Sequence, residues 1–318
     1  MNGMDIICIG EILVDFIPGE LPHTYICKAG GAPANVAVAA ARNGLDAGVC
    51  GRVGADTFGD FLESTLRANG VTFLTPQRVS DAVTTMAFVT LDENGDRSFV
   101  FARKPGADMF LSADDIRSCG IENSSVVHAG SCSLSSSLSA DATVFAIAEA
   151  KRLRKLVSFD VNYRDQMWNG DRQRAISAVK HLLLYIDMLK YSEEEQDFID
   201  GALFQGGTAD KVLVKTCGGR GAELIWAGKR FKVSGRPVKC IDATGAGDAF
   251  WGSFISCLIN AGVSSMHDLT ESLLLKALDY ANIAGSICVQ RKGAIDALPA
   301  RSEIEAIARS KRSGCHTS

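Results

Sequence analysis

The sequence predicts an α/β protein of three layers (α/β/α), with helices on both faces of a mostly parallel central sheet and a small β-sheet beside it as a lid. Three observations carry that expectation. From Ser112 onward, short apolar runs of buried-strand type alternate with helix-compatible stretches through short connections. One pair of strand-like runs, between residues 84 and 101, has no helix between its members. The chain of 318 residues is 47% hydrophobic, enough for one large core. The expected organisation is one domain over 1–308, with the lid built from about 12–28 and 84–104, and a short polar C-terminal tail over 309–318. No repeat of 20–50 residues is visible.

Composition excludes several function classes. A net charge of −4 offers no general attraction to nucleic acid or an anionic membrane. The ten cysteines form no Cys-x-x-Cys and are scattered mostly through apolar runs, as free thiols in a reducing compartment would be. The N-terminus has no basic region ahead of a long apolar core, so no signal peptide is expected and the cytoplasm is the default. The uncharged window from Ala249 to Met266 holds four serines, Asn260, Gly252 and Gly262, which argues for a helix buried in protein.

Asp5–Gly10 reads as the first buried strand. Glu11 and Asp15 follow it, at the sheet edge where open α/β sheets bind ligands, although Asp15 also reads as an ordinary loop acid. Gly30 and Gly31 free the backbone, Pro33 suits a helix start, and the alanine-rich run ends at Gly44. Asn35 then stands near a helix N-terminus, either offering donor and acceptors to a polyol or capping its own helix. Thr85–Leu91 and Arg97–Phe101 flank Asn94–Gly95, a strong hairpin signal, and with residues around Leu13 to Lys28 they make the expected lid.

Further along, Ser112 opens a helix, Ser125–Ala129 is a strand, Asp141–Lys155 is amphipathic, and Leu156–Asp160, Asp187–Tyr191 and Lys211–Lys215 are strands. Asn162 and Arg164 stand just past a strand end, and His128 reads as structural. Glu193, Glu194 and Glu195 taken alone are a helix N-terminal charge run. Thr216 to Gly221, with Gly218 between, suits a turn around a nucleotide. No Gly-x-G-x-x-Gly opens a helix after an early strand, and Gly-x-x-x-x-Gly-Lys-Ser/Thr is absent, which excludes a dinucleotide oxidoreductase and a P-loop kinase.

The richest stretch is Asp242 to Phe250. Gly245 and Gly247 flank Ala246, and an apolar helix follows, so the turn presents unpaired N–H groups and suits an anion, phosphate above all. Asp248 in the first turn would repel a phosphate merely held there. It suits a loop that takes a proton from a hydroxyl attacking that phosphate, so it reads as a general base. The bland alternative is a tight turn followed by an N-terminal acid. Asp279–Asn282 is expected to begin a small-residue helix reaching Arg291–Ala294.

Asp-Ala-Thr-Gly-Ala-Gly-Asp-Ala-Phe at 242–250 closely resembles the second signature of the PfkB (ribokinase-like) carbohydrate kinases, with Ala243 where threonine is usual. Gly30-Gly31-Ala32-Pro33-Ala34-Asn35 resembles the first. Arg103, Pro105, Ala107 and Asp108, and Phe159 to Arg164 with Trp168, resemble blocks of the fructokinases within that family, Val161 replacing a proline. The resemblance implies a ribokinase-like fold and ATP-dependent phosphorylation of a primary hydroxyl, fructose to fructose 6-phosphate. 2-Keto-3-deoxygluconate kinase and ribokinase are alternatives with the same chemistry, and a non-catalytic sugar- or nucleotide-binding regulator is an alternative of another class.

By the same resemblance, Asp248 is the base, and the backbone of Gly245, Ala246 and Gly247 stabilises transferring charge. Asp15, Gly30, Gly31, Asn35, Arg103, Asn162 and Arg164 hold the sugar. Thr216, Gly218, Gly221 and Asn282 hold the nucleotide. Glu195 orders Mg²⁺ through water, with Ser192 where the family has asparagine. Asp242, Thr244, Cys288, Arg291, Gly293 and Ala297 would line a site for a monovalent cation such as K⁺, with Asp296 where proline is common. A homodimer through the lid is implied.

Overall fold

The computed structural model describes residues 3–21, 23–91, 97–200 and 211–313; the expected Asn94–Gly95 turn lies outside them. In chain order the strands and helices are β1 (Ile6–Ile9), β2 (Leu13–Pro18), β3 (Tyr25–Gly30), α1 (Ala32–Arg42), β4 (Ala47–Cys50), α2 (Thr57–Ala68) and β5 (Val71–Phe73). Next come β6 (Met86–Leu91), β7 (Arg97–Ala102), α3 (Ala113–Ser118), β8 (Val126–Gly130), α4 (Ser137–Arg152), β9 (Leu156–Asp160), α5 (Arg172–Leu182) and β10 (Met188–Ser192). The series closes with β11 (Val212–Thr216), β12 (Gly221–Trp226), β13 (Lys229–Ser234), α6 (Ala246–Ile259), α7 (Glu271–Cys288) and α8 (Arg301–Ser313).

Among the described residues nine strands make one sheet, in the order β13-β12-β11-β10-β9-β8-β1-β4-β5. It is parallel from β11 to β5, and the β12 and β13 pairings are antiparallel. Successive side chains of a strand point to opposite faces, and both faces here are apolar. Ile6 and Cys8 of β1 enter one core with α1, α2, α6 and α7; Ile7 and Ile9 enter the other with α3, α4 and α5. This is the three-layer arrangement. The lid is a second sheet, β3-β2-β6-β7, in which β2 and β6 run parallel and the outer pairs antiparallel.

Several expectations are corrected. The helix expected from Asp141 begins at Ser137, and that expected from Asp279 begins at Glu271, where the Thr270 hydroxyl accepts from the amide of Leu273. The tail boundary at 309 falls inside α8, because Arg301 and Arg309 both pair with Glu305 at helical spacing and carry the helix on to Ser313. The hairpin β12–β13 was not anticipated. Among the described residues no helix is long and apolar enough to cross a membrane; the uncharged window at 249–266 is mostly α6, buried over most of its length.

Candidate active site

The strands of the parallel sheet deliver their C-terminal ends to one edge, and the lid meets the body there. Between them lies a cavity of about 310 Å³. It is lined from β1 and the lid by Glu11, Leu13, Asp15 and Phe101, and from the start of α1 by Gly31, Ala32 and Asn35. Cys132, Asn162, Arg164, Met167 and Lys190 line it from the ends of the central strands, and Ala243, Thr244, Gly245, Gly247 and Asp248 from the turn into α6.

That turn is built by its glycine. Gly245 caps α6 at φ 76, in the left-handed region, and a Cβ there would stand 3.0 Å from the Cα of Ala294. The chain can therefore enter the helix at this sharp angle, with Gly245, Gly247 and Asp248 lining the cavity and the Ala246 amide donating to the Ala243 carbonyl at 3.2 Å. Asp248, the third helical residue, is 8% exposed. Its Oδ2 accepts a 2.7 Å hydrogen bond from Asn35 Nδ2. Gly31, at φ 104, performs the matching service for α1: a Cβ would stand 2.5 Å from the carbonyl oxygen of Glu11, so the start of α1 lies directly against the end of β1.

Two acceptors in this cavity are buried with no hydrogen bond inside the protein, Asn35 Oδ1 and Glu11 Oε2. The other Glu11 oxygen accepts from the amide of Ala32 at 3.2 Å. Buried acceptors of this kind are expected to meet a ligand donor. Arg164 is exposed and carries one hydrogen bond, from Nη1 to the carbonyl of Tyr163. Asn162 holds a left-handed φ of 37, uncommon outside glycine but tolerated by asparagine.

Electrostatics match this crowding of acids. Burial pushes Asp15 up to about 7, opposed by Arg164 and reinforced by Asp248 and Asp242. Burial likewise raises Glu11 to about 7. Asp248 is raised by burial too, with Lys190, the Asn35 hydrogen bond and Arg164 pulling it back.

Some expected site residues stand elsewhere. Gly30 does not line the cavity; it packs under Asp15, whose Oδ2 would be 2.3 Å from an added Cβ. Arg103, expected to point at substrate, does not line it either. Asp108 draws its guanidinium away, with Nε–Oδ2 at 2.8 Å and Nη2–Oδ2 at 2.6 Å, and Nη1 donates to Ser135 Oγ. Glu195 lies beneath the site, its two oxygens accepting from the amides of Tyr163 and Ser192, both at 2.7 Å. His128 bonds Ser158 Oγ through Nδ1 and is buried, in keeping with a structural histidine.

On the neighbouring side, Thr216 ends β11 with its hydroxyl toward the carbonyl of Tyr191. Gly218 opens a short 3-10 turn, and Gly221, at φ 104, starts β12. Asn282 of α7 donates to the carbonyl of Ser234 on β13. The residues named for a monovalent cation divide. Asp242 accepts from the amides of Thr244 (2.8 Å) and Gly293 (3.0 Å), and Cys288 Sγ donates to the Thr244 carbonyl, so these four tie two loops together. The Arg291 guanidinium instead pairs with Glu303, and the amide of Ala297 donates to Ala294. Asp296 forms a 2.5 Å ion pair with Lys28 of the lid strand β3.

Glu11 lines the cavity as its place at the sheet edge suggested, and Lys190, Cys132, Met167 and Phe101 line it without having been singled out as site residues. For Lys190 the signal was available: a lone charge within an apolar strand.

A profile of the pfkB family carbohydrate kinases matches residues 4–301. The chain is 35% identical over 320 residues to a probable fructokinase-5 of Arabidopsis thaliana, covering 96% of this chain and 98% of that protein. It is 34% identical over 302 residues to a fructokinase of Vibrio alginolyticus, covering 93% and 96%. Among solved structures, a fructokinase from Xylella fastidiosa with bound ATP superposes with a TM-score of 0.87 at 30% identity, over 96% of this chain and 98% of that one. A fructokinase from Vibrio cholerae O395 in a fructose-, ADP- and calcium-bound form superposes with a TM-score of 0.83 at 35% identity, over 96% and 99%.

Proposed function

The chain belongs to the pfkB family of carbohydrate kinases, and from that membership we propose that it transfers the γ-phosphoryl group of ATP to a primary hydroxyl of fructose, giving fructose 6-phosphate. The fructokinase relatives and the fructose- and ATP-bound neighbours support this choice of substrates. One observation carries the mechanism: Asp248 and the glycines of the turn into α6 line a cavity that also holds unpaired buried acceptors.

The sugar lies against Asp15, Asn35 and Glu11, whose acceptors take its hydroxyl protons into hydrogen bonds. The nucleotide tail approaches along the edge past Thr216 and Gly218, with its terminal phosphate at the amides of Gly245, Gly247 and Asp248. Asp248 Oδ takes the proton of the attacking hydroxyl as the sugar O–P bond forms and the bond from phosphorus to the bridging oxygen of ADP breaks. The α6 amides hold the charge that spreads over the transferring oxygens. Arg164 reaches the same space from the opposite wall, and lid strand β2 closes over the sugar.

Magnesium is the divalent ion we assign to the nucleotide. Among the described residues no three His, Cys, Asp or Glu side chains converge on one point. The acids near the phosphate end are Asp160, whose Oδ1 is buried without a partner, and Glu195. That sparse oxygen set fits Mg²⁺, which keeps several waters and takes other ligands from phosphate. Bound there, the ion would neutralise polyphosphate charge. A monovalent cation at the Asp242 and Gly293 loops would act by fixing the turn into α6.

The test is ADP release with Mg·ATP across fructose, ribose and 2-keto-3-deoxygluconate. Fructose is expected to give the highest kcat/KM by at least tenfold, with phosphate on the 6-hydroxyl. A higher value for either competitor would reassign the sugar, and no sugar-dependent ADP release would leave a binding regulator as the better reading.

A further inference from the structure

Lys190 lies in the cavity wall, and strand parity explains why. Leu156 of β9 and Met188 of β10 enter the core shared with α6, and Ser158 accepts from Trp251 Nε1 of α6 at 2.9 Å. Asp160 and Lys190, two residues on, therefore point to the same side and end beneath the first turn of α6. Lys190 Nζ donates to Asp160 Oδ2 at 2.6 Å, with the side chains 7% and 1% exposed. A Cβ added at Gly247 would stand only 3.2 Å from that nitrogen. The ammonium is thus beside the turn into α6, and it lines the cavity with Gly247 and Asp248.

Burying an ammonium and a carboxylate costs several kcal/mol per ion before their attraction returns any of it, so an internal pair is a poor choice for stability alone. This pair is also incompletely satisfied, since Asp160 Oδ1 is buried with no partner. Around it stand Glu195 and Asp248, both close enough to act on the Lys190 charge. A polyphosphate arriving beside buried carboxylates needs a fixed cation. Lys190 supplies one, fixed by its hydrogen bond to the buried Asp160. His128, pushed down to about 3 by burial and then by Lys190, stays neutral beside it.

Building on the kinase reading above, we propose that Lys190 is a catalytic residue of the phosphoryl transfer, its ammonium meeting the equatorial oxygens of the moving phosphoryl group, and that Asp160 is the positioning residue that holds it there. The loose transition state spreads negative charge over three equatorial oxygens. The α6 amides meet that charge from the helix side and Lys190 from the strand side. Lys190 exchanges no proton; the proton of the sugar hydroxyl goes to Asp248.

The experiment compares wild type with Lys190→Met, Lys190→Arg and Asp160→Asn. It measures kcat, the KM for fructose, thermal melting, and the affinity for ADP plus fructose with and without aluminium fluoride, which mimics the planar phosphoryl group. Lys190→Met is expected to lower kcat about 10²–10³-fold, the scale of losing one transition-state donor. Its fructose KM should stay within threefold, and the tightening of ADP by aluminium fluoride should be lost. Lys190→Arg should recover at least tenfold of the lost kcat, and Asp160→Asn should lower kcat tenfold without moving the fructose KM.

Lys190→Met turning over within threefold of wild type, or tightening on aluminium fluoride as wild type does, overturns the proposal. Should Lys190→Met fail to fold, Asp160→Asn decides: full kcat with normal tightening overturns the proposal, and a selective loss of both supports it. A wild-type enzyme that releases no ADP with any sugar overturns the kinase reading itself, which is a separate result.

Discussion

Asp248 and Asp15 stand in one cavity, and burial holds both carboxyls above their ordinary range. Two outcomes follow at this scale. Asp248→Asn keeps the shape of the side chain and is expected to fold and bind fructose normally while kcat falls by roughly 10²–10⁴, the usual worth of a general base. Isothermal titration for binding and ADP release for turnover check the two halves. The second outcome concerns pH. With Asp15 at about 7 in the free enzyme, kcat/KM for the sugar should rise with pH up to about 7 and level off above it, and Asp15→Asn should flatten that limb. Stability runs the opposite way: between the unfolded value near 4 and the folded value near 7 the native state holds the extra proton, so this carboxyl's contribution is full below about pH 4 and is lost by about pH 7. Denaturation of wild type against Asp15→Asn at pH 5 and pH 8 checks the sign. Asp248, Asn35 and Gly31 were legible as cavity-lining residues because glycine pairs and a Pro-x-Asn beside them have a local physical meaning. Lys190 left only a lone charge in an apolar strand as its signal, because its direction out of β10 needs the register of β9 and β10. Arg103 stands outside the cavity lining because Asp108 holds its guanidinium, which a sequence does not show.

At the scale of elements, the turn into α6 is the part that the chemistry leans on hardest. Gly245→Ala would force a left-handed residue with a side chain to sit 3.0 Å from the backbone of Ala294. The left-handed conformation alone costs roughly 1–2 kcal/mol. Melting temperature is therefore expected to drop, and kcat to drop by more than stability explains, because the shifted turn moves the amides and Asp248 together. An unchanged kcat in a folded Gly245→Ala variant would show that the turn's position matters little. Most parallel strands were readable as apolar runs, since both of their faces are covered. Strands β12 and β13 were not, although Ala227 and Gly228, both at positive φ, turn the chain between them. On β13 the polar and apolar residues alternate, Lys-Arg-Phe-Lys-Val-Ser, a pattern too short and too charged to stand out beside the core strands. The start of α7 was missed for another reason: its first turns are half-exposed, and only Thr270 as cap marks them.

For the whole molecule, the three layers followed from alternation and the lid from a pair of strands with no helix between them; what remained unread was which lid face is free. Pairing settles it, since directly opposed residues share a face. Val100 opposes Phe88, Phe88 opposes Phe16, and Phe16 opposes Cys27. Asp15 and Phe101, which line the cavity, belong to the other face. The face away from the sugar therefore carries Phe16 stacked on Phe88 at 4.7 Å and Tyr25 set edge-on to Phe88 at 5.7 Å, with Tyr25 and Val100 45% and 54% exposed. Phe16 is also edge-on to Phe58 of α2 at 5.6 Å, so the inner part of this face rests on the body, while the exposed Tyr25 and Val100 beyond it invite burial against a second copy. The homodimer we assign to this lid face should appear in sedimentation as twice the 33.8 kDa chain. Val100→Glu places a charge in the middle of that apolar contact and is expected to shift the mass to one chain while leaving the melting of the body almost unchanged. A wild type that sediments as a single chain at micromolar concentration, or a Val100→Glu variant that remains a dimer, would move the contact off this face.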